Sequence, residues 1–208
     1  VITQQIKLGF LASRNGSSAR GILTAIAGGN LNAEARLLVS NNKAAPALAM
    51  AASHGVAALC IPTQADPQAA DARLAQAMAD AGVELVVLSG YLRQLGPLML
   101  ERFHNRVLNV HPGPLPAFGG QGMYGRHVHE AVLTSGATES GICIHLVDRD
   151  YDQGPIVARR DVPINPGDTA ETLEARVNAL EPDVFVEVLQ RIASGDIELP
   201  PRNPTGLS

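Results

Sequence analysis

Three short stretches combine residue types that can do chemistry. The first is Asn109-Val110-His111-Pro112. In an extended strand side chains repeat with period two, so Asn109 and His111 project to the same face. A carboxamide can stabilise an oxyanion and an imidazole can hold or move a proton, which suits acyl transfer. A histidine near a strand end is also a common structural residue, so the pair alone leaves both readings open. The second stretch is Asp148-Arg149-Asp150-Tyr151-Asp152-Gln153-Gly154-Pro155, with three carboxylates in five positions. It lacks the wider ligand pattern of a calcium loop. It reads either as a solvated acidic hairpin or as the source of an aspartate that pairs with His111 and raises its pKa. The third is SRNGSS at 13–18, where a strand hands over to a helix. Backbone amides and the helix dipole favour an anion there, and Asn15, Ser17 and Ser18 add short polar side chains. The stretch is neither G-x-G-x-x-G nor a phosphate loop with G-K-[ST], so a dinucleotide site or an ATPase is unsupported. An ordinary turn with an N-cap and a mononucleotide-type phosphate site both fit. No histidine spacing implies zinc. His127 and His129 are too close to share a helix face, and His54 and His104 read as surface or helix-end residues. His145 lies in an apolar run whose strand partners can bring it near the site.

The elements that position these stretches follow from periodicity. Apolar runs at 6–12, 35–40, 57–61, 84–88 and 106–110 read as buried strands. Between them lie helical patterns at about 19–26, 44–54 and 66–81, and a short one at 97–103. Strands separated by helices need crossovers, hence parallel pairing, and their near-continuous apolar character implies a sheet covered on both faces. The first 110 residues therefore predict a doubly wound α/β unit, in which ligands bind at the carboxyl ends of the strands. Asn109 and His111 fall at such an end. Residues 111–126 then form a Pro- and Gly-rich loop too long for a simple connection, and such loops are usually functional. A helix at about 127–135 and two strands at 141–147 and 155–162 follow. Asp168-Thr169-Ala170-Glu171 resembles a capping box with Asp as the cap. The next helical stripe is interrupted by Pro182, which predicts a kink or break near Glu181. The tail from Pro200 is expected to be poorly ordered. No repeat or low-complexity linker divides the chain, so a single domain over 1–208 is expected.

Composition bounds the function classes. The chain has 208 residues, a formal net charge of −4, 46% apolar and 17% charged residues, which excludes a disordered chain. Mild acidity argues against nucleic-acid binding through a broad basic surface. No apolar run reaches membrane-spanning length, and VITQQIKLGF lacks the charged and apolar halves of a signal peptide. With 3% aromatics and no Trp, the core is expected to be aliphatic. Cys60 and Cys143 each lie in an apolar run and read as buried free thiols. A soluble, cytoplasmic protein acting on small molecules is the expectation.

Taken together, NVHPGPLPAF and the downstream HLVDRDYDQGPIV resemble the folate-dependent formyltransferases. The resemblance runs from the SRNGSS loop to the last helix. It implies a mostly parallel, doubly wound sheet with a Rossmann-type N-terminal half. It also implies a phosphate- and nucleotide-binding half over about 1–110 and a folate and catalytic half over about 88–200. By resemblance the catalytic trio is Asn109, His111 and Asp152: the first holds an oxyanion, the second assists as a charged or proton-transferring partner, and the third orients it and favours its protonated form. The co-substrate implied is 10-formyltetrahydrofolate, lying against Leu92, Arg93, Gln94 and Leu95 and against Asp148, Arg149, Asp150, Tyr151 and Asp152. The acceptor implied is the amine of glycinamide ribonucleotide, with its phosphate at Arg14, Asn15, Gly16, Ser17 and Ser18 and its ribose at Glu181. No metal is implied, and a monomer or homodimer is expected. Transfer to another amine such as an amino sugar, hydrolysis of the formylfolate, and binding without catalysis are the alternatives.

Overall fold

A computed structural model describes residues 5–202. Seven strands form one sheet in the order β3-β2-β1-β4-β5-β6-β7. β1 (Ile6–Leu11), β2 (Ala33–Ser40), β3 (Ala57–Cys60), β4 (Leu85–Leu88) and β5 (Val107–His111) are parallel. Each crossover between them carries one helix: α1 (Ser17–Ala27), α2 (Pro46–Ser53), α3 (Pro67–Asp80) and α4 (Pro97–Arg102). α5 (Arg126–Thr134) leads to β6 (Glu139–Leu146), which pairs antiparallel with β5 and with β7 (Ile156–Pro163). β6 and β7 are joined by a short link without a crossover, and such a link permits only antiparallel pairing. The last helix is α6 (Ala170–Ser194).

The strands are buried on both faces. In β4, Leu85 and Val87 join the core under α1, α2 and α6, while Val86 and Leu88 join the core under α3 and α4. This is the period-two division a covered sheet requires. The core is mainly aliphatic as expected, but Phe10, Phe103 and Phe185 are also buried in it. Cys143 is buried and Cys60, on the edge strand β3, only partly so; both are free thiols.

Three expectations need correction. Of the kink or break expected near Glu181, the break does not occur: α6 continues through Pro182 as one helix. A Cβ on Gly21 of α1 would come 2.5 Å from the Pro182 Cβ, so α1 and α6 cross closely at this point. The helix continues there although Pro182 supplies no N–H to its ladder. The cap of α6 is Thr169, not Asp168: Thr169 and Thr172 form the reciprocal box. Asp168 sits one residue earlier, where it accepts from Thr172 Oγ1 and the Asn165 amide and pairs with Arg176. The start of the tail is also held. Arg106 donates to the Pro200 carbonyl (2.7 Å), Asn105 to the Pro201 carbonyl (2.9 Å), and Arg202 to the Glu84 carbonyl (2.6 Å). Residues 203–208 of the tail lie outside the described residues.

Among the described residues no helix is long and apolar enough to cross a membrane.

Candidate active site

The sheet reverses its winding direction between β1 and β4, and the carboxyl ends of β1, β4 and β5 open onto that switch point, the usual ligand position in this architecture. Asn109 and His111 share a face of β5, and β6 brings His145 directly opposite Asn109. His145 Nδ1 donates to the Leu146 carbonyl (2.9 Å), so in the neutral ring Nε2 is an acceptor, and it takes a hydrogen bond from Asn109 Nδ2 (3.2 Å). The 147–155 link folds back over this pair. Gly154 presses against the Leu146 carbonyl, where a Cβ would have no room, and Asp152 adopts a left-handed φ of 58°. The turn delivers the Asp152 carboxylate between two imidazoles: Oδ2 lies 3.4 Å from His111 Nδ1 and Oδ1 3.4 Å from His145 Nε2. Oδ2 also accepts from the Gly120 amide (3.0 Å), which ties in the 112–125 loop.

His111 is 2% exposed. Its Nε2–H donates to the Phe118 carbonyl at 2.6 Å, so Nδ1 carries a second proton only in the imidazolium. Burial pushes the ring below its ordinary pKa, Asp152 and the Phe118 carbonyl pull it up, and His145 pushes it down; burial wins. The sequence-based expectation that Asp152 raises the His111 pKa is therefore half right. The aspartate acts in that direction, but withdrawal of the ring from water outweighs it. The Asp152 carboxyl is itself raised by burial. The neighbouring His145 and His111 rings and the Gly120 amide more than reverse this and hold it below the ordinary carboxylate range.

The SRNGSS loop joins β1 to α1. Gly16, with φ of 63°, caps α1 in the left-handed region and offers no side chain to the first turn. The Ala19 amide is taken by Ser89 Oγ (2.9 Å) at the end of β4, and the Arg20 amide by the Gly16 carbonyl (2.9 Å). Among the described residues the amides of Ser17 and Ser18 have no intramolecular acceptor. Two donors at a helix N-terminus, next to the exposed Arg14, favour an anion there. Ser18 is buried, while Asn15 and Ser17 face solvent. Glu181 on α6 precedes the Pro182 that packs on Gly21, so it stands beside the first turns of α1. Burial pushes its carboxyl up to about 7. Near neutral pH it can thus donate as well as accept a hydrogen bond.

The segment after β4 lies beside the 148–151 segment. Leu92 is 55% exposed, and Arg93 and Gln94 are exposed too. Leu95 turns inward and belongs to the core under α3 and α4, so it supports its own segment rather than presenting a surface. On the other segment Asp148, Arg149, Asp150 and Tyr151 are all exposed. Gln94 Nε2 reaches over and donates to the Arg149 carbonyl (3.0 Å). The structure thus brings together Asn109, His111 and Asp152, and sets the 92–94 and 148–151 segments side by side. Glu181 adjoins the crossing of α6 on α1 at Gly21. Ser89 carried no legible signal in the sequence, because its role depends on β4 lying beside α1. The carbonyl of Phe118 and the amide of Gly120 are invisible in any sequence for the same reason. Among the described residues no group of three His, Cys, Asp or Glu side chains is placed to hold a metal ion.

A switch-point α/β sheet with an Asn, His and Asp cluster at the end of its fifth strand defines a group-transfer enzyme, and the chain belongs to the formyl transferase family, whose model matches residues 6–189. The chain is 38% identical over 196 residues to the chloroplastic phosphoribosylglycinamide formyltransferase of Arabidopsis thaliana, covering 92% of this chain and 67% of that one. It is 31% identical to the phosphoribosylglycinamide formyltransferase of Bacillus subtilis (strain 168), over 89% of this chain and 94% of that one. Among solved structures, glycinamide ribonucleotide transformylase 1 from Symbiobacterium toebii superposes with a TM-score of 0.86 at 34% identity, over 95% of this chain and 92% of that one. The chain thus spans about two thirds of its plant relatives and nearly all of the bacterial ones.

Proposed function

We propose that this protein transfers the formyl group of 10-formyltetrahydrofolate to the amine of glycinamide ribonucleotide, a step of purine synthesis. The observation that carries the reading is the Asn109–His145–Asp152–His111 cluster, set in a formyltransferase fold beside two uncommitted amides of α1. The acceptor amine attacks the formyl carbon. The new C–N bond forms as the carbonyl oxygen takes negative charge, and the bond to the folate nitrogen then breaks. Asn109 is the group suited to the oxyanion, because its amide is held by β5 and by His145 and needs no reorganisation. The amine loses one proton and the departing folate nitrogen gains one. His111, whose burial favours the neutral ring while Asp152 favours the charged one, is the group suited to hold or relay that proton. Asp152 fixes both imidazoles. The amides of Ser17 and Ser18, with Arg14 and Asn15, receive the ribonucleotide phosphate, and Glu181 reads the ribose hydroxyls. The folate lies between Leu92–Gln94 and the 148–151 segment. One domain carries both halves, as a monomer or homodimer. Two free thiols fit a reducing compartment such as the cytoplasm.

Following deformylation of 10-formyltetrahydrofolate by absorbance, with and without glycinamide ribonucleotide, tests this. Turnover that depends on the ribonucleotide is the expected result. Turnover with water alone would make the protein a deformylase. Silence in both, with folate still binding, would mean a different amine acceptor.

A further inference from the structure

The exposed tip of the 147–155 link is remarkably short of anchors for a segment that ends in Asp152. Within it, the Asp150 amide donates to Asp148 Oδ1 (3.1 Å) and Gln153 Nε2 to the Tyr151 carbonyl (3.4 Å), both local bonds. Among the described residues, the bond from Gln94 to the Arg149 carbonyl is the one hydrogen bond that joins residues 148–151 to another part of the fold. Asp148, Arg149 and Asp150 enter no ion pair there.

Gln94, by contrast, stands on a braced platform. Two residues before it, the Leu92 amide donates to Ser13 Oγ (2.8 Å). One residue after it, Leu95 is buried. Beyond that, the buried Asp71 caps α4 by accepting from the amides of Leu98 (2.8 Å) and Met99 (3.1 Å). A rigid donor thus meets an otherwise untethered loop across 55 residues of sequence.

We propose that Gln94 is a positioning residue: it clasps the 148–151 segment across the cleft and thereby pre-sets the folate wall and the Asp152 turn. The proposal deepens the function given above and rests on it for its kinetic consequence. Its structural consequence stands alone. The clasp fixes the loop before ligand arrives, so that the ordering cost is not charged to folate binding. A neutral hydrogen bond at an exposed site is modest, and its loss corresponds to roughly a three- to tenfold change in an equilibrium.

The test is Gln94→Met, which keeps length and removes the donor, alongside Gln94→Glu, which turns a carboxylate toward the Arg149 carbonyl. Hydrogen exchange is read on the unliganded protein, and steady-state kinetics on both substrates. In both variants the Asp150 amide, which the Asp148 carboxylate holds, is expected to exchange about three- to tenfold faster, with α1 and α4 unchanged. The KM for 10-formyltetrahydrofolate rises by a similar factor, more than kcat falls, and the KM for the ribonucleotide stays as in the wild type. Unchanged loop exchange overturns the proposal, and so does folate binding that tightens when the donor is removed. A wild-type protein inactive toward the folate would defeat the proposed function instead, and the exchange comparison would still decide the clasp.

Discussion

His111 and Asp152 face each other across 3.4 Å, Nδ1 to Oδ2, although 41 residues of chain and a change of strand direction separate them. The other ring nitrogen of His111 is held by the Phe118 carbonyl at 2.6 Å. Both contacts are satisfied at once only by the imidazolium, while burial favours the neutral ring. Burial outweighs the two contacts and holds the resting ring toward the neutral form, while Asp152 and the Phe118 carbonyl stabilise the imidazolium once a proton is taken up, which suits a group that holds a proton for part of a reaction.

Asp152→Asn removes one of the two contacts that pull the His111 pKa up and leaves the burial that lowers it. The His111 pKa, followed by NMR, is expected to fall further below its ordinary value. Formyl transfer is expected to drop by about 10²–10⁴-fold, as for His111→Ala, with the fold intact by circular dichroism. Near wild-type turnover in either variant would contradict the roles assigned.

Ser17→Glu sets a negative charge at the two amides proposed for the phosphate. The KM for glycinamide ribonucleotide is expected to rise at least about tenfold, through repulsion and loss of the anion position. The KM for the folate is expected to hold. An unchanged acceptor KM would remove the phosphate site from the 14–18 loop.

Glu181 makes stability depend on pH in a defined direction. Its carboxyl is raised from 4.5 to about 7, so the folded state binds this proton more tightly than the unfolded state. The contribution is full below about 4.5 and is lost as pH rises through about 7. Glu181→Gln should therefore raise the melting temperature at pH 8 relative to wild type and flatten the decline between pH 5 and 8. It should also weaken the ribonucleotide. Parallel melting curves for the two proteins across that range would refute the buried carboxyl.

His129 on α5 is fully buried, and among the described residues neither ring nitrogen has a hydrogen-bond partner. Burial lowers its pKa below 6.5, against a pull from Glu174. The folded state therefore binds this proton less well than the unfolded state, and stability present above pH 6.5 is lost as pH falls below it. His129→Met removes an unsatisfied polar ring at similar volume. A gain of about 1–2 kcal/mol at pH 7, growing toward pH 5, is expected from urea unfolding. A loss of stability at both pH values would show that the ring is better satisfied than its geometry indicates.

Gly21→Ala sets helix propensity against packing. Alanine favours an α-helix by about 1 kcal/mol over glycine. The new Cβ would lie 2.5 Å from the Pro182 Cβ, too close for either helix to keep its place. Net destabilisation of about 1–3 kcal/mol by chemical denaturation is expected. A stabilised variant would mean that α1 and α6 separate easily at this crossing.

Much of this molecule was legible in the order of its residues. The apolar runs and helical stripes of the first 110 residues predict the parallel half of the sheet, because strand and helix periods are local properties. Asn109 and His111 could be placed on one face of a strand for the same reason. Relations between distant segments had no such signature. On local pattern alone the three aspartates in DRDYDQG were equal candidates; the resemblance pointed to Asp152, and Gly154 and the left-handed turn at Asp152 are what carry its carboxylate to His111. His145 became part of the cluster only through the register of β6 on β5. Ser89 became a cap only because β4 lies beside α1. Pro182 predicted a kink or break near Glu181, and α6 continues through it, packed against Gly21. The His111 pKa turned on burial, which depends on every segment that covers it. Local patterns determined the elements and the candidate loops, since they depend on neighbours along the chain. Pairing, capping and proton affinity were decided by the tertiary structure, since each depends on distance and on exclusion of water, which the chain acquires only on folding.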